Sequence, residues 1–82
     1  MKPTTVHIRK TRHKDQPWTV TIHPPGKAEA YKIKQRYARP FTAKRGAVRH
    51  LGGYIHRQFI PATGYYATVG YKMQDGSPIV FK

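Results

Sequence analysis

Trp18-Thr19-Val20-Thr21-Ile22-His23 sets an apolar side chain at every second position with a polar one between, and this alternation constrains the fold more than any other stretch. Successive side chains of a strand point to opposite faces, so a period of two predicts a half-buried strand with one face on a core. His23-Pro24-Pro25-Gly26 closes it as a turn. A weaker alternation precedes it in residues 4–11, where Val6 and Ile8 stand against Thr5, His7 and Arg9, and Arg12 to Pro17 breaks it. A third alternation follows, with Tyr31, Ile33, Gln35 and Tyr37 against Lys32, Lys34 and Arg36. In an antiparallel meander, these strands collect Val6, Ile8, Trp18, Val20, Ile22, Tyr31, Ile33 and Tyr37 on one face. The other face then carries His7, Arg9, Thr19, Thr21, His23, Lys32, Lys34 and Arg36.

Arg39-Pro40 ends the third strand, because proline donates nothing to a ladder and biases the preceding residue away from helix. Ala43, Ala47, Val48 and Leu51 fall on one side of a helix of about two turns, for which Thr42 is the expected cap and Gly52-Gly53 the stop. Lys44, Arg45 and Arg49 remain outside. Lys44 and Arg45 in a first helical turn oppose the helix dipole, and a phosphate bound at Thr42 to Arg45 relieves that penalty. A solvated helix end in a basic chain accounts for the same residues.

After Gly53 the Lys-rich pattern gives way to aromatic residues. Residues 54–60 and 65–73 read as strands joined by Pro61-Ala62-Thr63-Gly64, and Gln74-Asp75-Gly76-Ser77 is a turn before Pro78 to Lys82. Uninterrupted alternation puts Tyr65, Ala67, Val69, Tyr71 and Met73 on one face. This second unit either extends the first sheet or covers it from the far side. The expectation is one α+β domain over residues 1–82: a small antiparallel sheet of three strands, one short helix, then two or three further strands.

The chain of 82 residues carries 16 Lys and Arg against 3 Asp and Glu, a net charge of +13. Residues 1–53 hold 13 of the basic residues and two acids, a net of +11, whereas residues 54–82 hold three and one, a net of +2. A field concentrated in this way implies a polyanionic partner. Without cysteine there is neither a disulfide framework nor a thiolate metal site. No apolar run approaches the roughly 18 residues of a membrane span, so a cytoplasmic chain is expected.

Catalysis is not expected. Asp15, Glu29 and Asp75 all fall in turns, too dispersed for two-metal chemistry or a paired general acid and base. The five histidines, His7, His13, His23, His50 and His56, match no zinc spacing, and no phosphate-cradling glycine loop or nucleophile elbow is present. No cofactor or metal is implied. Trp18, Tyr31 and Tyr37 have core parity, and the aromatic-rich and lysine-rich segments are separate, which favours duplex or structured nucleic acid over single strands stacked on aromatic rings.

A Trp-led strand, a basic strand and then Phe41-Thr42-Ala43-Lys44-Arg45-Gly46-Ala47 opening a helix resembles the AP2-like arm-binding domain of phage-type integrases. The family pattern reads Phe, any residue, Thr, Lys, any residue, Glu, Ala. Phe41 and Ala47 keep the spacing, Thr42 comes one place early, and Gly46 stands where Glu is usual. The resemblance covers residues 6–53 and leaves no room for integrase catalytic residues. It implies a three-stranded antiparallel sheet backed by a helix, with Lys32, Lys34 and Arg36 facing the DNA major groove.

The expected function is therefore non-enzymatic binding of duplex DNA by a basic sheet face and a helix N-terminus, through Arg9, Lys10, Lys32, Lys34, Arg36, Arg39, Lys44, Arg45 and Arg49. Structured RNA, as for a ribosome-associated protein, and an acidic protein surface docked by a small inhibitor or adaptor need the same field and stand as alternatives.

Overall fold

The computed structural model describes residues 2–26 and 29–82. Its element order is β1 (Thr4–Lys10), β2 (Trp18–His23), β3 (Tyr31–Lys32), α1 (Pro40–His50), β4 (Tyr54–Ile60), β5 (Tyr65–Lys72) and β6 (Pro78–Phe81). The fold is α+β, with all six strands in one sheet of order β3-β2-β1-β6-β5-β4. The meander β1-β2-β3 forms as the alternation requires, with Val6 opposite Ile22, Ile8 opposite Val20 and Thr21 opposite Lys32. The C-terminal strands extend this sheet rather than cover it. They join through β6, which runs parallel to β1 with Thr4 opposite Ile79 and Val6 opposite Phe81, so the sheet is mixed rather than purely antiparallel.

The core lies on one side only. Val6, Val20 and Ile22 are fully buried and meet Ala43, Ala47 and Val48 of α1, with Ile79 completing the cluster. Small residues on the inner face of α1 let the helix lie close to β1 and β2. Each buried Val or Ile contributes about 1.5–3 kcal/mol. Ile8, Trp18, Ile33, Tyr37, Leu51, Tyr71, Met73 and Phe81 seal the margin of this core.

Three local expectations are corrected. The third strand does not run to Tyr37. Only Tyr31 and Lys32 pair regularly, the chain bends at Lys34, and Tyr37 returns as an isolated bridge whose N–H and C=O exchange hydrogen bonds of 2.9 Å with Trp18. Helix α1 begins at Pro40, which fits its first turn because its missing N–H would have had no partner there. Thr42 is thus inside the helix, and its hydroxyl donates to the Arg39 carbonyl (2.9 Å) instead of capping. Finally, β5 carries a bulge: His56 faces Gly70 and Arg57 faces Thr68, leaving Val69 without a partner. The extra residue reverses the parity, so Tyr65 and Ala67 share one face while Tyr71 lies on the other.

Gly52 and Gly53 stop the helix by different physical means. Gly52 has φ of +69°, a conformation that side-chain-bearing residues resist. At Gly53 the limit is space, since a Cβ would lie 2.7 Å from the Lys72 carbonyl oxygen and 2.8 Å from Ile79 Cδ1. In the last turn, the Ser77 hydroxyl (2.6 Å) and N–H (2.9 Å) both donate to Asp75 Oδ1. These bonds, the hydroxyl first, hold the Asp75 carboxyl below its ordinary range.

Gly53→Ala is expected to cost about 1–3 kcal/mol, because the opposing β5 carbonyl belongs to a paired strand and cannot retreat freely. Gly52→Ala is expected to cost about 1 kcal/mol from backbone conformation alone. Thermal melts of the two variants beside the native chain check this ranking, with about 4–8 °C expected per kcal/mol.

Candidate nucleic-acid interface

Because α1 occupies one face of the sheet, alternation leaves the other face to solvent. Thr5, His7 and Arg9 of β1, Thr19, Thr21 and His23 of β2, and Lys32 of β3 share it by register, Thr19 being the one of these that is buried. Val80 faces Thr5 across β1 and β6, and Lys72 faces Pro78 across β5 and β6. The ladder continues one residue past β6: Lys82 N–H donates to Val6 (2.9 Å) and its carbonyl accepts from Ile8 N–H (3.4 Å). That geometry sets Lys82 beside His7 on the open face. No strand of the sheet contains Asp or Glu.

At the centre, His7, Arg9, Thr21, His23 and Lys32 line a shallow depression of about 570 Å³. The His7 and His23 rings are tilted against each other with centroids 4.5 Å apart. All of these side chains except the half-buried Thr21 are exposed. The depression therefore offers cations and hydrogen-bond donors to a partner without first breaking internal pairs. Among the described residues no group of three or more His, Cys, Asp or Glu is placed to hold a metal ion, and no helix is long and apolar enough to cross a membrane.

The nine residues read from sequence as nucleic-acid contacts do not form one surface. Arg9 and Lys32 lie on the open face. Lys10, opposite Trp18, has the parity of the helix side at the end of β1, yet it also borders the open-face depression beside Arg9. Lys34 and Arg39 are exposed in the connection from β3 to α1. Arg36 ties the β1–β2 loop to the segment before the helix, since its Nε donates to the Gln16 carbonyl (3.0 Å) and its Nη2 to Thr11 Oγ1. Lys44 sits with Nζ 5.6 Å from the Phe81 ring centroid, on the helix side of the sheet. Arg45 lies over Phe41, its Cζ 5.8 Å from the ring centroid. Arg45 and Arg49 line a separate cleft of about 480 Å³ with Ile33, Gln35, Tyr37, Thr42, Gly46 and His50.

The helix N-terminus thus stands on the opposite side of the sheet from the basic face. The placement that suggested a phosphate anchor also changes. With the helix starting at Pro40, Lys44 and Arg45 belong to its second turn, and Ala43 N–H is already bonded to the Arg39 carbonyl (3.1 Å).

Lys72 and Lys82 join the open face without having been expected there. The signal for Lys82 is the alternation in Pro78 to Lys82, which puts Ile79 and Phe81 inside and Val80 and Lys82 outside, and that for Lys72 is its place between Tyr71 and Met73, which pack on the core. What the sequence does not reveal is that β6 lies beside β1. Gly46, where the integrase pattern has Glu, has a local reason: a side chain there would collide with the Tyr37 ring, whose hydroxyl end rests on the helix.

No known family, curated protein or solved structure matches this chain.

Arg36→Ala is expected to cost about 1–2 kcal/mol by releasing Gln16 and Thr11, and Arg36→Lys most of the same, since a lysine cannot reproduce the fork. Thermal melts check this, and Lys32→Ala, exposed and without such bonds, is expected to melt within about 0.5 kcal/mol of the native chain.

Proposed function

We propose that this chain binds double-stranded DNA, without catalysis, by laying the open face of β3, β2, β1, β6 and the end of β5 against the duplex. The observation that carries this reading is the acid-free face itself, on which Arg9, Lys32, Lys72 and Lys82 accompany His7 and His23. Like charges on neighbouring strands cost stability, and a phosphate backbone offsets that cost through counterion release. Centre to centre, β2, β1 and β6 at about 4.8 Å span about 10 Å, within the roughly 12 Å width of a major groove, with Lys32 on β3 and Lys72 on β5 flanking them toward the phosphates. The most exposed aromatic residues, Tyr65 and Tyr66, stand on the β4–β5 hairpin away from Arg9 and Lys32. That separation supports a duplex over single strands stacked on rings. The resemblance of residues 6–53 to an integrase arm-binding domain supports the same use of the sheet.

The test is a competition at fixed salt among duplex DNA, duplex RNA and single strands, with the affinity for the winner then followed against salt. Duplex DNA is expected to win. Contacts from Arg9, Lys32, Lys72 and Lys82 give a log–log salt slope of about −3 to −4. Lys32→Ala is expected to weaken binding alike on every DNA sequence and to reduce that slope by about 1. Arg49→Gln, on the helix side, leaves the slope unchanged. A slope near zero contradicts phosphate binding, and preference for duplex RNA transfers the same face to an RNA partner.

A further inference from the structure

The two edges of the sheet are built to opposite standards. At one edge, β3 pairs through two residues, carries Lys32 and bends away at Lys34, features that blunt an edge against further pairing. At the other edge, β4 is seven residues long, contains neither proline nor lysine, and exposes Tyr54, Ile55, Phe59 and Ile60. Among the described residues nothing in the strand order lies beyond it. β5 meets β6 only at Tyr71 and Lys72, so residues 56–70 extend past β6 as a two-stranded ribbon. Phe59 and Tyr66 pack together on one face of that ribbon with ring centroids 5.3 Å apart. Ile60 and Tyr65 share the other, where Tyr65 is 76% exposed. A ribbon with no third strand and no covering helix is marginal in water.

We propose that β4 pairs antiparallel with β4 of a second copy of this chain, joining two six-stranded sheets across a two-fold axis. The charge distribution selects a second copy over a polyanion at this place. Residues 54–82 carry a net +2 and residues 1–53 a net +11, so the contact brings the least charged parts together and holds the strongly positive parts apart. A polyanion is drawn instead to the other half.

Two-fold symmetry requires that residue i meets j wherever j meets i. A register centred on Gln58 sets Arg57 beside the second copy's Phe59 ring and His56 beside its Ile60, with no two cations opposed. It ends at Pro61, which has no N–H to donate. The free edge of β5 is the poorer candidate, because unpaired Val69 interrupts its ladder. An axis perpendicular to the sheet keeps the faces in common, so the two open basic faces become one surface.

Sedimentation equilibrium and concentration-dependent amide hydrogen exchange of the full chain test this pairing. The native chain is expected at about 19 kDa, twice the 9.5 kDa of one copy. Its association tightens as salt rises from about 0.1 M to about 1 M, because screening weakens repulsion between the positive halves. Exchange within residues 56–60 is expected to slow as concentration rises. Phe59→Lys combined with Ile60→Lys, with folding confirmed by circular dichroism, is expected to sediment as a single chain at the same concentrations. A native chain that stays single at millimolar concentration overturns the proposal. So does a folded double variant that still dimerises, or a dimer whose protection lies outside β4. If the double variant does not fold, the exchange pattern of the native chain decides alone.

Discussion

The packing of α1 on one face of the meander is the constraint on which the rest depends. Ala43, Ala47 and Val48 lie against Val6, Val20 and Ile22, and the small helix side chains allow a close approach that larger ones would prevent. This leaves a shallow core with seven buried apolar residues among those described, near the lower limit for a domain without disulfide or metal staples. Every other element either seals that core or is freed by it. Tyr37 closes the end beneath Gly46, Phe81 and Tyr71 close the side toward β5 with ring centroids 5.1 Å apart, and among the described strand residues the opposite sheet face buries only Thr19.

A one-sided core explains why charge and shape are distributed as they are. The open face can be polar along β1 and β2 because no second layer demands apolar residues there. It is also basic, which folding alone does not require. Threonines at 5, 19 and 21 supply strand propensity, while Arg9, Lys32, Lys72 and Lys82 supply a field with no acid among the strands to neutralise it. The cations of α1 belong to a different surface. Two groups of positive residues therefore face away from each other across a sheet of side-chain thickness, although they are close in sequence.

Much of this architecture is legible in the residues. Strand β2 runs as its alternation indicates and β4 as its flanking turns indicate, β1 departs by one residue, and Ala43, Ala47 and Val48 do form the inner stripe of α1, with Leu51 just past its end. The third strand is shorter than the clean alternation of Tyr31 to Tyr37 implies, because the bend at Lys34 and the bonds from Arg36 to the β1–β2 loop compete with ladder formation. The helix starts earlier than Thr42 because Pro40, which ends a strand, is equally suited to open a helix, and the local sequence does not choose between the two. The bulge at Val69 leaves no local mark, since the residues around it are all compatible with a strand. The neighbourhood of β6 and β1 is a non-local fact: the parallel pairing joins the two ends of the chain, and neither segment encodes its partner. That one pairing brings Lys82 and Lys72 onto the basic face and separates it from the helix cations that lie near Lys32 in sequence.

The central claim is that one face of the sheet, and not the helix, meets the nucleic acid. Amine-reactive footprinting read by mass spectrometry addresses it directly, because lysines occupy both sides. On saturation with duplex DNA, Lys32, Lys72 and Lys82 are expected to lose reactivity, while Lys44, held against Phe81 on the helix side, keeps the reactivity it has in the free protein. Protection of Lys44 with Lys32 and Lys82 still reactive would contradict the account.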